Sequence, residues 1–148
     1  MKTCCFAGHA NVSNQEEIKI KLKTEIINLI EKENVTTFYS GDKGTFDWLC
    51  AGMLRRLKED YPFIKSYLVL AYTLKRDEDY MEYVAEIFDD IFYPDIKNTP
   101  KRFAILKRNQ WMVNNSDFLI AYVEHDWGGA YKTLKYAQRK NIKIINIA

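Results

Sequence analysis

Apolar and polar positions along this chain change period repeatedly, and the changes predict strands alternating with helices. Lys2 to Phe6 reads as a first strand, followed by Gly8-His9-Ala10-Asn11. Ser13-Asn14-Gln15-Glu16 has the spacing of a capping box, and Ile18, Leu22, Ile26, Leu29 and Ile30 then recur at helical spacing, with Lys19, Lys21, Lys23 and Glu25 on the remaining surface. Thr36 to Ser40 predicts a second strand, Gly41-Asp42-Lys43-Gly44 a loop, and Thr45 to Asp60 a helix. Phe46, Leu49, Cys50, Met53 and Leu57 face inward there, and the helix ends near Tyr61-Pro62 because proline forbids continuation. Tyr67 to Ala71 is a third buried strand. Glu78 to Phe92 follows as a helix with Tyr80, Val84, Ile87, Phe88 and Ile91 inward, and Tyr93-Pro94-Asp95 breaks it or begins a short edge strand. A polar connection from Lys97 to Lys101 leads to a helix through Asn115. The strand Phe118 to Tyr122, the turn at Gly128-Gly129, a helix to Lys140 and a last strand from Lys143 to Ile147 complete the chain.

This alternation predicts an α/β fold, a Rossmann-like three-layer sandwich with a mainly parallel central sheet of about five strands, in a single domain spanning residues 1–148. Ligands bind such sheets beyond the carboxyl ends of the strands, so the loops after strands one to four converge on one edge. Two of these loops carry paired or closely spaced glycines just before a helix. Glycine lets the backbone approach a ligand, and the first helical N–H groups are unpaired and electropositive, which suits a phosphate. Ordinary tight turns use the same residues.

Composition narrows the function classes. The 22 basic and 20 acidic residues nearly cancel to +2, so no global field attracts a nucleic acid or a membrane surface, and an anionic ligand has to be held locally. Nucleic acid is therefore not the expected partner. Met1 to Ala7 holds too few apolar residues for a signal peptide and no run reaches transmembrane length, which leads us to expect a soluble cytoplasmic protein without a membrane partner. Cys4, Cys5 and Cys50 lack the spacing of a zinc site or a redox pair and fit buried reduced thiols. His9 and His125 have no metal-ligand spacing, so neither a metal nor a cofactor is expected. Ten Tyr, eight Phe and three Trp suit a well-filled core, with Tyr72, Trp111 and Trp127 beside the loops as candidate base-stacking rings.

Individual residues carry two readings each. Asp47 is placed to accept hydrogen bonds from a ribose, to orient its loop, or to stabilise its own helix N-terminus. Arg108 suits a phosphate fork or a surface ion pair, and Asn109 a base edge or a tie between loops. His9 either touches ligand or caps the following turn, while His125, with Glu124 and Asp126 at the tip of the glycine-pair loop, reads as solvent-facing. Arg76, just past the third strand, is a second candidate cation. Trp111 and Met112 read as core.

Taken together, Cys5-Phe6-Ala7-Gly8-His9, Phe38-Tyr39-Ser40-Gly41 with Gly44 and Asp47, Lys107-Arg108-Asn109 with Trp111-Met112, and Asp117 through Gly129-Ala130 resemble the SLOG superfamily over nearly the whole chain. The likeness is strongest to small stand-alone proteins of its YpsA-like branch, frequent in Firmicutes and their phages. The resemblance implies a Rossmann-like domain that binds a nucleotide or nucleotide-derived molecule, relatives including Lonely-Guy phosphoribohydrolases and sensors of antiviral signalling nucleotides. With the residue readings above, it gives a candidate ligand site of Gly8, His9, Ser40, Gly41, Asp42, Lys43, Gly44, Asp47, Arg76, Arg108, Asn109, Gly128, Gly129, Ala130 and Thr133. It also implies self-association into a homodimer or higher homo-oligomer. Ala7, Ala10 and Ala130 stand where relatives usually carry Thr, Arg and Thr, which removes two hydroxyl contacts and one cation, and Lys43, Arg108 and Thr133 are placed to replace them. The glutamate that Lonely-Guy enzymes carry after the glycine-rich turn has no counterpart between Ala130 and Gln138. Binding without catalysis is the expected role, with N-glycosidic hydrolysis of nucleoside monophosphates, using Asp47, Glu124 or Asp126, and regulation of cell division through protein contacts as alternatives.

Overall fold

A computed structural model describes residues 1–71, 78–94, 96 and 99–148. The strands are β1 (Lys2–Gly8), β2 (Val35–Ser40), β3 (Lys65–Val69), β4 (Asp90–Phe92), β5 (Phe118–Tyr122) and β6 (Lys143–Asn146). The helices are α1 (Gln15–Glu33), α2 (Thr45–Leu57), α3 (Glu78–Ile87), α4 (Lys101–Asn114) and α5 (Gly129–Arg139). All strand pairs are parallel, and the sheet order is β4-β3-β2-β1-β5-β6.

The period-2 alternation of β1 and β5 sorts the core into two layers. Cys4, Phe6, Phe118, Ile120 and Tyr122 face α1 and α2, whose buried stripes include Leu22, Ile26, Phe46 and Leu54. Cys5, Ala7, Leu119 and Ala121 face the opposite side, against Met112 and Val113 of α4 and Ala137 of α5. Leu68 and Leu70 meet Val84 and Phe88 next to Ala51 of α2, in a smaller cluster beside the first layer. This is the expected three-layer sandwich, and β5 is buried along its whole length because both faces are covered. The three cysteines are buried and unbridged.

Three details depart from the sequence reading. The helix expected to run to Phe92 stops at Ile87, and Asp90–Phe92 instead adds a sixth strand beside β3. Phe88, Ile91 and their neighbours fit both periods, and the choice is made by Asp89. Its N–H donates to the Ser66 carbonyl at 2.8 Å and its carboxylate accepts the Ser66 N–H at 2.8 Å, which draws the chain onto the sheet. The capping box does not form. Asn14, not Ser13, precedes the first turn of α1, and no side-chain cap forms there. β3 begins at Lys65 rather than Tyr67, although Leu70 N–H still reaches the Phe92 carbonyl at 3.0 Å.

Two glycines of the α2 region are predicted to respond to alanine with opposite signs. Gly52 lies inside α2, and an added Cβ there meets nothing within 4 Å. Gly44 holds φ at +101°, and its Cβ would lie 2.5 Å from the Ala10 backbone. In urea denaturation, Gly52→Ala gains about 0.5–1 kcal/mol. Gly44→Ala loses more than about 1 kcal/mol.

Candidate functional site

Strand order determines where a crevice opens. From β1 the chain builds outward through β2, β3 and β4, then crosses over to start β5 on the other side of β1, so the loops leaving β1 and β5 diverge at their carboxyl ends. A cavity of about 380 Å³ lies at this point. Gly8, His9 and Asn11 form one wall after β1, and Gly128, Gly129 and Ala130 form another at the start of α5. Lys43, Asp47, Arg108 and Asn109 close the floor and side. Helix α5 begins with no side-chain cap, and its first intrahelical bond at this end runs from Lys132 N–H to the Gly128 carbonyl at 3.1 Å. The N–H groups of its first turn therefore have no partner within the helix. Gly128 takes φ +91°, and a Cβ at Gly129 would meet nothing within 4 Å. The backbone here is bare and open toward the cavity.

The other glycine loop is built differently. A Cβ at Gly41 would lie 2.6 Å from the Arg108 guanidinium, and Gly44 is filled by Ala10, so these glycines serve packing between protein segments. Gly8 likewise makes room for the Phe46 ring. Arg108 is only 2 % exposed. Its Nη1 donates to the Val69 carbonyl at 2.9 Å, its Nε donates to Asn109 Oδ1 at 2.8 Å, and Asp42 stands 4.0 Å away. Asn109 in turn donates from Nδ2 to the Thr133 hydroxyl at 3.1 Å, and that hydroxyl donates to the Gly129 carbonyl at 3.0 Å. Of the two readings of Asn109, the structure displays the tie, which joins α4 to α5.

Asp47 accepts the Lys43 N–H at 2.9 Å and so orients the loop while lining the cavity. Burial raises its carboxyl from the ordinary 3.8 up to about 6, with Asp42 adding to the rise, while Arg108 and the Lys43 N–H oppose it.

Of the residues expected at the site, Gly8, His9, Lys43, Asp47, Arg108, Asn109, Gly128, Gly129 and Ala130 meet at the cavity. Ser40, Gly41, Asp42, Gly44 and Thr133 do not line it. Ser40 and Thr133 are fully buried, the Asp42 side chain is 4 % exposed beside Arg108, and the two glycines are packed as described. Arg76 and Tyr72 lie outside the described residues. Trp111 packs on Tyr39 and Phe92 as a core ring.

The sequence reading set His125 in solvent, whereas the structure draws it inward. His9, His125 and Trp127 form a column of near-parallel rings, with centroids 3.9 Å and 3.8 Å apart and interplanar angles of 15° and 13°. His9 Nε2 accepts the Glu124 N–H at 2.8 Å, so its proton sits on Nδ1. Burial and the neighbouring His125 lower the pKa of His9. Nothing local in the sequence announces this pairing, because it depends on β1 lying next to β5. Ile105 of α4 is a further lining residue that the sequence reading did not single out.

No family model matches the chain. A UPF0398 protein of Brevibacillus brevis is 26% identical over 131 residues, covering 83% of this chain and 69% of the relative. Among solved structures, DNA processing protein A (DprA) of Streptococcus pneumoniae superposes with a TM-score of 0.66 at 15% identity, over 97% of this chain. DprA of Helicobacter pylori, studied for its single-stranded DNA binding mode, gives 0.64 at 15% identity, also over 97%. The chain spans 49% of the pneumococcal protein and 63% of the Helicobacter one. The likeness shows that the chain has a DprA-like, Rossmann-like fold. Among the described residues no helix is long and apolar enough to cross a membrane.

The raised pKa of Asp47 has a measurable consequence. The folded chain holds this proton more tightly than the unfolded chain, so the contribution is complete below about pH 4 and is lost as pH rises through about 6. Asp47→Asn cannot ionise. Its stability relative to the parent, measured by chemical denaturation, is predicted to improve from pH 4 to pH 7.5 by on the order of 2–3 kcal/mol. A difference that does not change with pH would contradict this assignment.

Proposed function

We propose that this chain binds a nucleotide or nucleotide-derived small molecule in the crevice between the carboxyl ends of β1 and β5, as a cytoplasmic sensor or sequestering protein of the YpsA-like branch of the SLOG superfamily. The observation that carries the reading is the uncapped start of α5, where Gly128 and Gly129 present bare backbone to the cavity. Helix N-termini stabilise phosphate through unpaired N–H groups and the helix dipole together. A cavity of about 380 Å³ falls in the usual range for small-molecule sites, roughly 300–1,000 Å³. The near-neutral charge of the chain favours such a ligand over a polymer held by counterion release. In this reading Lys43 is a cation lining the cavity, and Arg108 acts by fixing the walls. Self-association, as in relatives of this branch, belongs to the same proposal, and a phage or antiviral signalling nucleotide is the natural ligand class.

Gly129→Glu tests the site, since the structure leaves room for a side chain there and a carboxylate would repel phosphate. Calorimetric titration with nucleoside 5′-monophosphates, ribose 5-phosphate and a single-stranded oligonucleotide is expected to detect mononucleotide binding in the parent. The variant should lose roughly tenfold or more in affinity while melting normally. Unchanged affinity would move the ligand elsewhere, and binding of the oligonucleotide alone would replace the small molecule with nucleic acid.

One observation favours a second reading, N-glycosidic hydrolysis. Asp47 lines the cavity with a pKa of about 6, which suits a general acid or base near neutrality. Chromatographic assay of base release from nucleoside monophosphates decides it. Turnover by the parent that falls about 100-fold or more in Asp47→Asn at unchanged affinity would establish it, and absence of free base from every nucleotide would reject it.

A further inference from the structure

The ring column at the cavity has an unfinished end. Its inner member, His9, is fixed at both the backbone and the ring, since its N–H donates to the Tyr122 carbonyl at 3.2 Å and its Nε2 accepts the Glu124 N–H. Its middle member, His125, is half-buried, and its Nδ1 lies 3.0 Å from the Trp127 carbonyl. Its outer member, Trp127, has His125 against one face and is nevertheless 67 % exposed. The opposite face of the indole is therefore open, and the ring lines the cavity. Trp111, by contrast, is partly buried and packed on Tyr39 and Phe92. A rigid, ordered stack that stops at a bare indole beside a cavity is a platform for one more planar ring.

We propose that Trp127 is the base-stacking residue of this site, and that the ligand is a single nucleotide whose heterocycle extends the His9–His125–Trp127 column while its phosphate lies at the start of α5. The inference rests on the nucleotide reading above and adds the recognition of the base. Position supports it, because Trp127 immediately precedes Gly128 and Gly129, so one turn of chain supplies the stacking surface and the backbone donors together. Preorganisation supports it too. The column is assembled from loops leaving two neighbouring strands, with both inner rings already hydrogen-bonded, so little side-chain freedom remains to be lost on binding. Stacking on an aromatic ring tolerates any base, because every base has a π-face, and selection among bases falls to other groups.

The experiment titrates the full chain with the four ribonucleoside 5′-monophosphates and with ribose 5-phosphate, which lacks the base. Calorimetry and tryptophan emission are read for the parent, Trp127→Ala and Trp127→Phe. The exposure of Trp127 predicts that both variants fold, and thermal melting checks this. Trp127→Ala should weaken the nucleotides roughly 5- to 100-fold and leave ribose 5-phosphate unchanged. Trp127→Phe should recover most of the loss, and nucleotide should quench emission in the parent but much less in the Phe variant. Nucleotide affinity unchanged in Trp127→Ala overturns the proposal. So does equal weakening of nucleotide and ribose 5-phosphate, which would make Trp127 a support for the loop. Ribose 5-phosphate binding as tightly as every nucleotide would leave the phosphate site standing and remove the stack alone. A parent that binds none of these probes would fail the nucleotide reading itself, and the stacking role with it.

Discussion

A guanidinium taken out of water must find partners for its donors, and the walls of this crevice are arranged around that requirement. Arg108 is almost wholly buried, and its partners come from different parts of the fold: the Val69 carbonyl at the end of β3, Asn109 on its own helix, and Asp42 in the loop after β2. Gly41 is glycine because the guanidinium occupies the space of its Cβ. Asp47 feels the same cation, which lowers its pKa against the effect of burial. Through Asn109 and Thr133 the network continues to the Gly129 carbonyl. One buried charge thus sets the relation of α4 to the β2–α2 loop and to the first turn of α5. Such a charge is costly to bury alone, which makes its partners mutually dependent.

The contrast between the two glycine loops follows from this. In sequence they look alike, with glycines between a strand and a helix. In space, Gly41 and Gly44 are filled by Arg108 and Ala10, whereas Gly128 and Gly129 have open space where a Cβ would be. The first loop is closed by the protein's own groups, and the second stays open beside the cavity. Lys43 and Asp47 still reach the cavity from the first loop, so it contributes side chains where the second contributes backbone.

How much of this was legible beforehand depends on the range of the determining contact. β5 and the start of α5 were readable because an unbroken apolar run and a glycine pair are local signals, and the bounds of β5 agree to the residue. The α1 stripe was equally clear, since Ile18, Leu22, Ile26, Leu29 and Ile30 are all buried. The end of α3 was not, because Ile87, Phe88 and Ile91 satisfy either period and the decision rests on Asp89 meeting Ser66 from another strand. Gly8, His9, Lys43, Asp47 and residues 128–130 line one cavity because their loops leave the same edge of the sheet. The ring column escaped notice because His9 and His125 belong to loops far apart in sequence that become neighbours only when β5 pairs with β1.

That column also has a mechanical meaning. β1 and β5 pair as far as Gly8 and Tyr122, and the His9 N–H still reaches the Tyr122 carbonyl, so beyond that point the two loops are joined by side chains. The stacked imidazoles, with the Glu124 N–H on His9, extend that junction past the sheet. On its far side the β1 loop is anchored again, since the Ala10 carbonyl accepts the Thr45 N–H at 2.8 Å where α2 begins. A continuous run of short contacts thus links Trp127, through His125 and His9, to the start of α2.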